Sequence, residues 1–210
     1  MQPAIERVVE EALDVLEQTG PGADLVQGLN GEISDEEISG LVSTLVVGGH
    51  ETTAAMLSLS ALALVEGPDQ LAVLLDESRS TGEAVEELLR YMSNTGTFPR
   101  AAKEDLTING HSVKAGEMVL VSLLNANRDP ALAEGNPDEL DLTRGPVAHV
   151  AFGHGAHQCP GRHLARFELE IALSALFRRL PTLELAVPRE DLEFNRSGII
   201  YGLKELPVKW

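Results

Sequence analysis

Ala151-Phe152-Gly153-His154-Gly155-Ala156-His157-Gln158-Cys159-Pro160-Gly161 sets the only cysteine of the 210-residue chain among three glycines, two histidines and a proline. A thiolate is a soft, strong metal ligand. Glycines on both sides let the backbone wrap closely enough for peptide N–H groups to point at sulfur. From Gly161 to Leu180, apolar residues recur at Leu164, Phe167, Ile171, Ala172, Ala175 and Leu176, which predicts a helix with Pro160 suited to its first turn. Cys159 then lies just before a helix N-terminus, where the dipole and unpaired N–H groups favour an anion.

Three readings of this loop compete. A lone cysteine can be an inert, buried apolar side chain. His154, His157, Cys159 and His163 supply nitrogen and sulfur donors for zinc, although their spacing follows none of the usual structural zinc patterns. The third reading is a haem iron held by a single cysteinate. The loop by itself leaves all three open.

Composition narrows the possible partners. Sixteen Lys and Arg against 33 Asp and Glu give a formal net charge of −17, which repels nucleic acid phosphates and anionic lipid alike. Neither nucleic acid nor membrane is an expected partner. A single cysteine excludes an intramolecular disulfide, no cationic and apolar signal peptide opens the chain, and no apolar run reaches spanning length. The expected compartment is therefore the cytoplasm. The 43% hydrophobic content suffices for the core of one domain.

Ile5, Val8, Val9, Ala12, Leu13 and Leu16 predict a first amphipathic helix that stops at Gly20-Pro21-Gly22. Ser34 and Glu37 form a capping box, and apolar spacing continues to Gly67-Pro68, predicting one long helix over 34–66. Its centre, Gly48-Gly49-His50-Glu51-Thr52-Thr53, combines two poor helix formers with two β-branched hydroxyls. Either a neighbouring helix crosses closely there, or a flat cofactor lies against the glycines while Glu51 and Thr52 open a groove for water. A short helix follows Pro68, and another runs from Glu83 to Met92 with Glu87 and Arg90 on one face. Leu106 to Val113 reads as strands around Asn109-Gly110, Met118 to Val121 as a further strand, and 182–187, 199–201 and 207–210 as short strand-like runs. The fold class is mainly α with small β elements.

Three of these stretches together resemble the cytochrome P450 family, bacterial soluble type. Phe152 to Gly161 is similar to its haem-binding loop, Gly48 to Thr53 to its oxygen-activating motif on a long central helix, and Glu87 with Arg90 to its buried Glu-x-x-Arg pair. The resemblance implies haem b as cofactor, with Cys159 as the iron ligand. Gly48, Gly49, Phe152, Gly153 and Gly161 would line the haem, and Arg100, His149 and His157 would bind its propionates. Glu51 and Thr52 would deliver protons, and Glu87 and Arg90 would brace the thiolate loop. The implied activity is a monooxygenase that inserts one atom of dioxygen into a small organic substrate, with electrons from a ferredoxin or another donor.

Residues 1–210 are expected to form a single partial domain, the C-terminal half of that fold with its N-terminal half absent. A complementary N-terminal half would then be a partner, and the alternative is a non-catalytic fragment or half of a split protein. Glu139-Leu140 also departs from the usual Arg-Phe, whose arginine joins the Glu87 and Arg90 pair. Arg144, five residues on, is the candidate replacement.

Overall fold

The computed structural model describes residues 33–132, 135–196 and 199–210, so the helix predicted over Ile5 to Leu16 lies outside the described residues. Helix α1 spans Asp35–Glu66 as one unbroken element. The predicted capping box starts it: Ser34 Oγ accepts from the Glu37 N–H, and the Glu37 carboxylate accepts from the Ser34 N–H at 2.9 Å. At its other end the Gly67 N–H closes on the Ala63 carbonyl. Pro68 then opens α2, Pro68–Leu75, with the chain bent by 113°. No single described helix is long and apolar enough to cross a membrane.

Helix α3, Thr81–Met92, ends on Ser93 in a left-handed cap with φ 38°. Helix α5, Arg162–Arg179, follows the cysteine loop, and a single turn α4, Leu123–Ala126, lies between. The core forms where α1, α2, α3 and α5 meet. Met56, Leu64, Leu74, Val85, Leu88, Leu169, Leu173 and Phe177 are buried there in one cluster, each contributing about 1.5–3 kcal/mol of burial. Burial along α1 is uneven. Met56, Leu59, Leu62 and Leu64 are buried, whereas Val47, Gly48, Gly49 and Glu51 are exposed. The same helix is thus core at one end and open at the functional centre.

Among the described residues the strands form four two-stranded ribbons. β2, Leu106–Ile108, pairs with β3, His111–Val113, across the predicted turn, where Asn109 and Gly110 take φ 47° and 83°. β1, Thr97–Ala101, pairs with β4, Met118–Ser122. Local pattern did not mark β1 as a strand because Pro99 sits inside it. A two-stranded ribbon tolerates the proline, since both of its strands are edges. Near the C-terminus β5, Glu184–Leu185, pairs with β8, Val208–Lys209. β6, Phe194–Asn195, pairs with β7, Gly202–Leu203. This last hairpin lies on α1: a Cβ added to Gly202 would stand 2.8 Å from the Ala55 Cβ, so only glycine permits the approach.

The mainly helical class with small β elements is borne out. Two details differ: the run 199–201 makes only an isolated bridge between Thr95 and Ile200, with the strand at Gly202–Leu203 instead, and Pro160 lies outside the helix. It falls in the turn before the N-cap Gly161 rather than inside the first helical turn, because the chain first closes a turn from the Arg162 N–H back to the Cys159 carbonyl.

Candidate functional site

The cysteine loop is held by its own backbone. The Cys159 N–H donates to the Phe152 carbonyl at 2.9 Å, the Gly153 N–H to Val150 at 2.8 Å, and the Gln158 N–H to Gly155 at 3.0 Å. Gly153 and Gly155 have φ 72° and 85°, conformations that side chains disfavour. The sulfur lies close over the start of α5: a Cβ added to Gly161 would be 4.0 Å from it. Cys159 is half-buried, neither an inert core residue nor fully solvated. Among the described residues no group of three or more His, Cys, Asp or Glu side chains is placed to hold a metal ion. His154, His157 and His163 therefore do not gather around Cys159, and the zinc reading has no geometry behind it.

The centre of α1 presents an open face. At Gly48 and Gly49 an added Cβ would meet nothing within 4 Å, so no helix of the described chain crosses there. Thr52 Oγ1 donates to the Gly48 carbonyl at 2.7 Å, and the Thr52 carbonyl accepts from Asn94 Nδ2 at 2.8 Å. Glu51 is exposed on a cleft of about 280 Å³ lined also by Ala54, Ala55, Ser58, Ile200 and Gly202. On the neighbouring face Thr53 donates to Glu168 of α5, whose carboxyl burial nonetheless pushes above the usual range.

Behind the loop, Glu87 and Arg90 are buried, with their side chains 1% and 0% exposed. Arg90 Nε and Nη2 meet both Glu87 oxygens at 2.7 and 2.9 Å, and its remaining donors reach the carbonyls of Asn127, Pro137 and Glu139. Glu87 also accepts from the Asp141 N–H at 3.1 Å and from Arg144 Nε at 3.3 Å. Arg144 thus joins the Glu87 and Arg90 pair. A pair buried this completely is tenable only because every donor and lone pair is used. Asn127, buried and not singled out by sequence, extends the network: its Nδ2 donates to Ser93 Oγ and its Oδ1 accepts from the Val150 N–H at 2.7 Å. The pair on α3 is therefore linked through Asn127 to the strand of chain that enters the cysteine loop.

The expected propionate groups divide. Arg100 on β1 and His157 in the loop are exposed and available to an anion. His149 is not. Its side chain is 3% exposed, its Nδ1 accepts from the Ala151 N–H at 3.1 Å, and its Nε2 donates to Glu86 at 3.0 Å. Both ring nitrogens of His149 are thus bonded inside the protein. Glu86 in turn binds Arg166 through both oxygens, and the Arg166 guanidinium stacks 4.8 Å over the Phe152 ring. Burial alone would raise the Glu86 carboxyl, but the His149 and Arg166 hydrogen bonds outweigh it and hold the group down at about 2.

Comparison with known proteins gives the class. The family model described as Cytochrome P450 matches residues 11–200. The chain is 49% identical to cytochrome P450 105C1 of Streptomyces sp over 93% of its own length and 52% of that protein. It is 46% identical to a vitamin D3 dihydroxylase of Streptomyces griseolus over 92% and 49% of the respective lengths. The solved structure of Streptomyces peucetius CYP105P2 with a biphenyl compound superposes with a TM-score of 0.83 at 44% identity, covering 92% of this chain and 50% of that one. Cytochrome P450 MoxA of Nonomuraea recticatena gives 0.82 at 44% identity, with 99% and 53% covered. The chain belongs to the cytochrome P450 family and spans about half the length of the relatives it matches. The architecture is accordingly a partial cytochrome P450 fold, and haem b is the family's standard cofactor.

Proposed function

We propose that this chain carries the haem-thiolate part of a monooxygenase. The observation that bears most of the weight is the Cys159 loop, in which one half-buried sulfur stands over the start of α5. The donor set fits haem. A haem iron would be held by one protein ligand rather than a cluster, and the open face at Gly48 and Gly49 would allow a flat group close approach. Arg100 and His157 would pair with the propionates, Phe152, Gly153 and Gly161 would line the macrocycle on the cysteine side, and Glu87 and Arg90 would brace the loop.

Haem bound at Cys159 supplies the activation of dioxygen. Cys159 would hold the iron and lend it electron density. Thr52 keeps a proton at Oγ1, resting on the Gly48 carbonyl, and Glu51 on the adjoining cleft exchanges protons with water. In the net reaction one oxygen atom enters a C–H bond of a small organic substrate. The other leaves as water, using two protons and two electrons from a ferredoxin or another separate donor.

Residues 1–210 would form a partial domain completed by an N-terminal half. Leu164, Phe167 and Ile171 on α5 are 53%, 65% and 48% exposed, and Val47 on α1 is 78% exposed. Apolar side chains at helical spacing on this scale are usually covered. The test is reconstitution with haem, alone and with the N-terminal half of a relative, followed by reduction under carbon monoxide and sizing chromatography. The red-shifted Soret band of thiolate ligation, lost in Cys159→Ala, supports the assignment. A histidine-type band that survives Cys159→Ala overturns it. Haem uptake only in the presence of the added half identifies the chain as a fragment that does not work alone.

A further inference from the structure

We propose that Glu86 is a positioning residue for the cysteine ligand, clamping the segment that enters the Cys159 loop against both α3 and α5. Glu86 sits beside the Glu87 and Arg90 pair but faces the other way. Its two oxygens gather His149 from the loop segment and Arg166 from α5, side chains 63 and 80 residues away in the chain. Each partner then acts on the loop. His149 Nδ1 accepts the Ala151 N–H, which fixes the backbone next to Phe152, and the Arg166 guanidinium lies on the Phe152 ring. The Phe152 carbonyl in turn receives the Cys159 N–H. One carboxylate is therefore two contacts from the peptide that sets the sulfur.

The geometry also assigns the imidazole tautomer. The Ala151 N–H can only donate, so His149 Nδ1 carries a lone pair and its proton resides on Nε2, directed at Glu86. Removal of the Glu86 charge weakens both clamps together, since the Arg166 and His149 bonds are charge-assisted through the same group. The clamp is distinct from the Glu87 and Arg90 pair, which reaches the loop by way of Asn127 and Val150.

This inference rests on the haem-thiolate reading of Cys159, and its test has one arm that needs no haem. Amide exchange of the 149–161 segment is compared in the chain and in Glu86→Gln, with His149→Phe and Arg166→Lys as separate variants. Glu86→Gln is expected to speed exchange of that segment by on the order of tenfold, leaving the buried parts of α3 and α5 unchanged. The double variant of Glu86→Gln with His149→Phe should add little. In the haem-loaded form, completed with its N-terminal half, Glu86→Gln should lose part of the thiolate Soret band under carbon monoxide, and Glu86→Asp should recover some of it. Unchanged exchange in the loop, or equal acceleration of loop and helices, overturns the positioning role. So does a full thiolate band in every variant. Absence of that band from the unsubstituted protein overturns the haem reading instead.

Discussion

Arg144 Nε stands 3.3 Å from Glu87 Oε1, although 57 residues separate the two in the chain. The segment after Asn127 is folded so that Arg144 also reaches the carbonyls of Asn136 and Glu139. The acceptor from Glu139 is its main chain; its carboxylate turns to Asn136 Nδ2 in solvent. The network therefore holds one carboxylate between two guanidiniums.

Substitutions in this network should therefore rank in a definite order. Arg90→Met leaves Glu87 buried with only the edge donors and should cost about 3–5 kcal/mol. Arg144→Ala should cost about 1–3 kcal/mol, and Glu139→Ala should stay within about 0.5 kcal/mol. Denaturant midpoints of the chain, or of its assembled form, measure all three. A large loss in Glu139→Ala would contradict the main-chain role.

Substitutions at Gly49 test folding and the proposed cofactor face separately. Gly49→Ala meets no neighbour and removes a poor helix former, so it should stabilise the chain by up to about 1 kcal/mol. Gly49→Leu should fold equally well yet take up little haem, because its side chain fills the face offered to the macrocycle. Thermal melting and haem titration read the two effects independently.

Glu86 makes stability depend on acid. Its carboxyl is held at about 2 when folded, against an ordinary value of 4.5. The stabilisation is thus present above pH 4.5 and drains away as pH falls toward about 2. Across that window the unsubstituted protein should lose stability relative to Glu86→Gln, and the two curves should converge at the acid end.

Glu168 has the opposite sign. Burial raises its carboxyl, so the neutral form is favoured when folded and stability is lost as pH rises through the folded value. Glu168→Gln should be as stable as the unsubstituted protein in acid and more stable at neutral pH. Denaturation at a series of pH values checks this. A variant equally destabilised at every pH would mean that the Thr53 contact outweighs the burial of charge.

Thr52→Ala should leave haem uptake and the thiolate spectrum intact, since among the described residues Thr52 bonds within α1 and to Asn94. In an assembled, competent protein it should divert electrons to peroxide and lower the product formed per electron severalfold, with Thr52→Ser largely restored. Unchanged coupling would remove the hydroxyl from proton delivery.

The parts of this protein encoded by neighbouring residues were legible in the sequence alone. The capping box at Ser34 and Glu37, the Asn109-Gly110 turn and the helices either side of the cysteine loop follow from contiguous patterns, because caps, turns and apolar spacing act within a few residues. The motifs at Gly48 to Thr53, Glu87 with Arg90, and Phe152 to Gly161 were legible for the same reason. Partner choice among distant charges was not. That Glu86 takes Arg166 and His149, that Asn127 bridges Ser93 and Val150, and that Arg144 joins Glu87 depend on how α3, α5 and the intervening chain pack. Composition offers many carboxylates to each cation, and only the burial of a given pair, where unpaired charge is costly, selects one. His149 is the clearest instance: a histidine three residues before Phe-Gly reads as a surface donor in the sequence, and the tertiary structure turns it inward because Glu86 and the Ala151 N–H satisfy both of its nitrogens there.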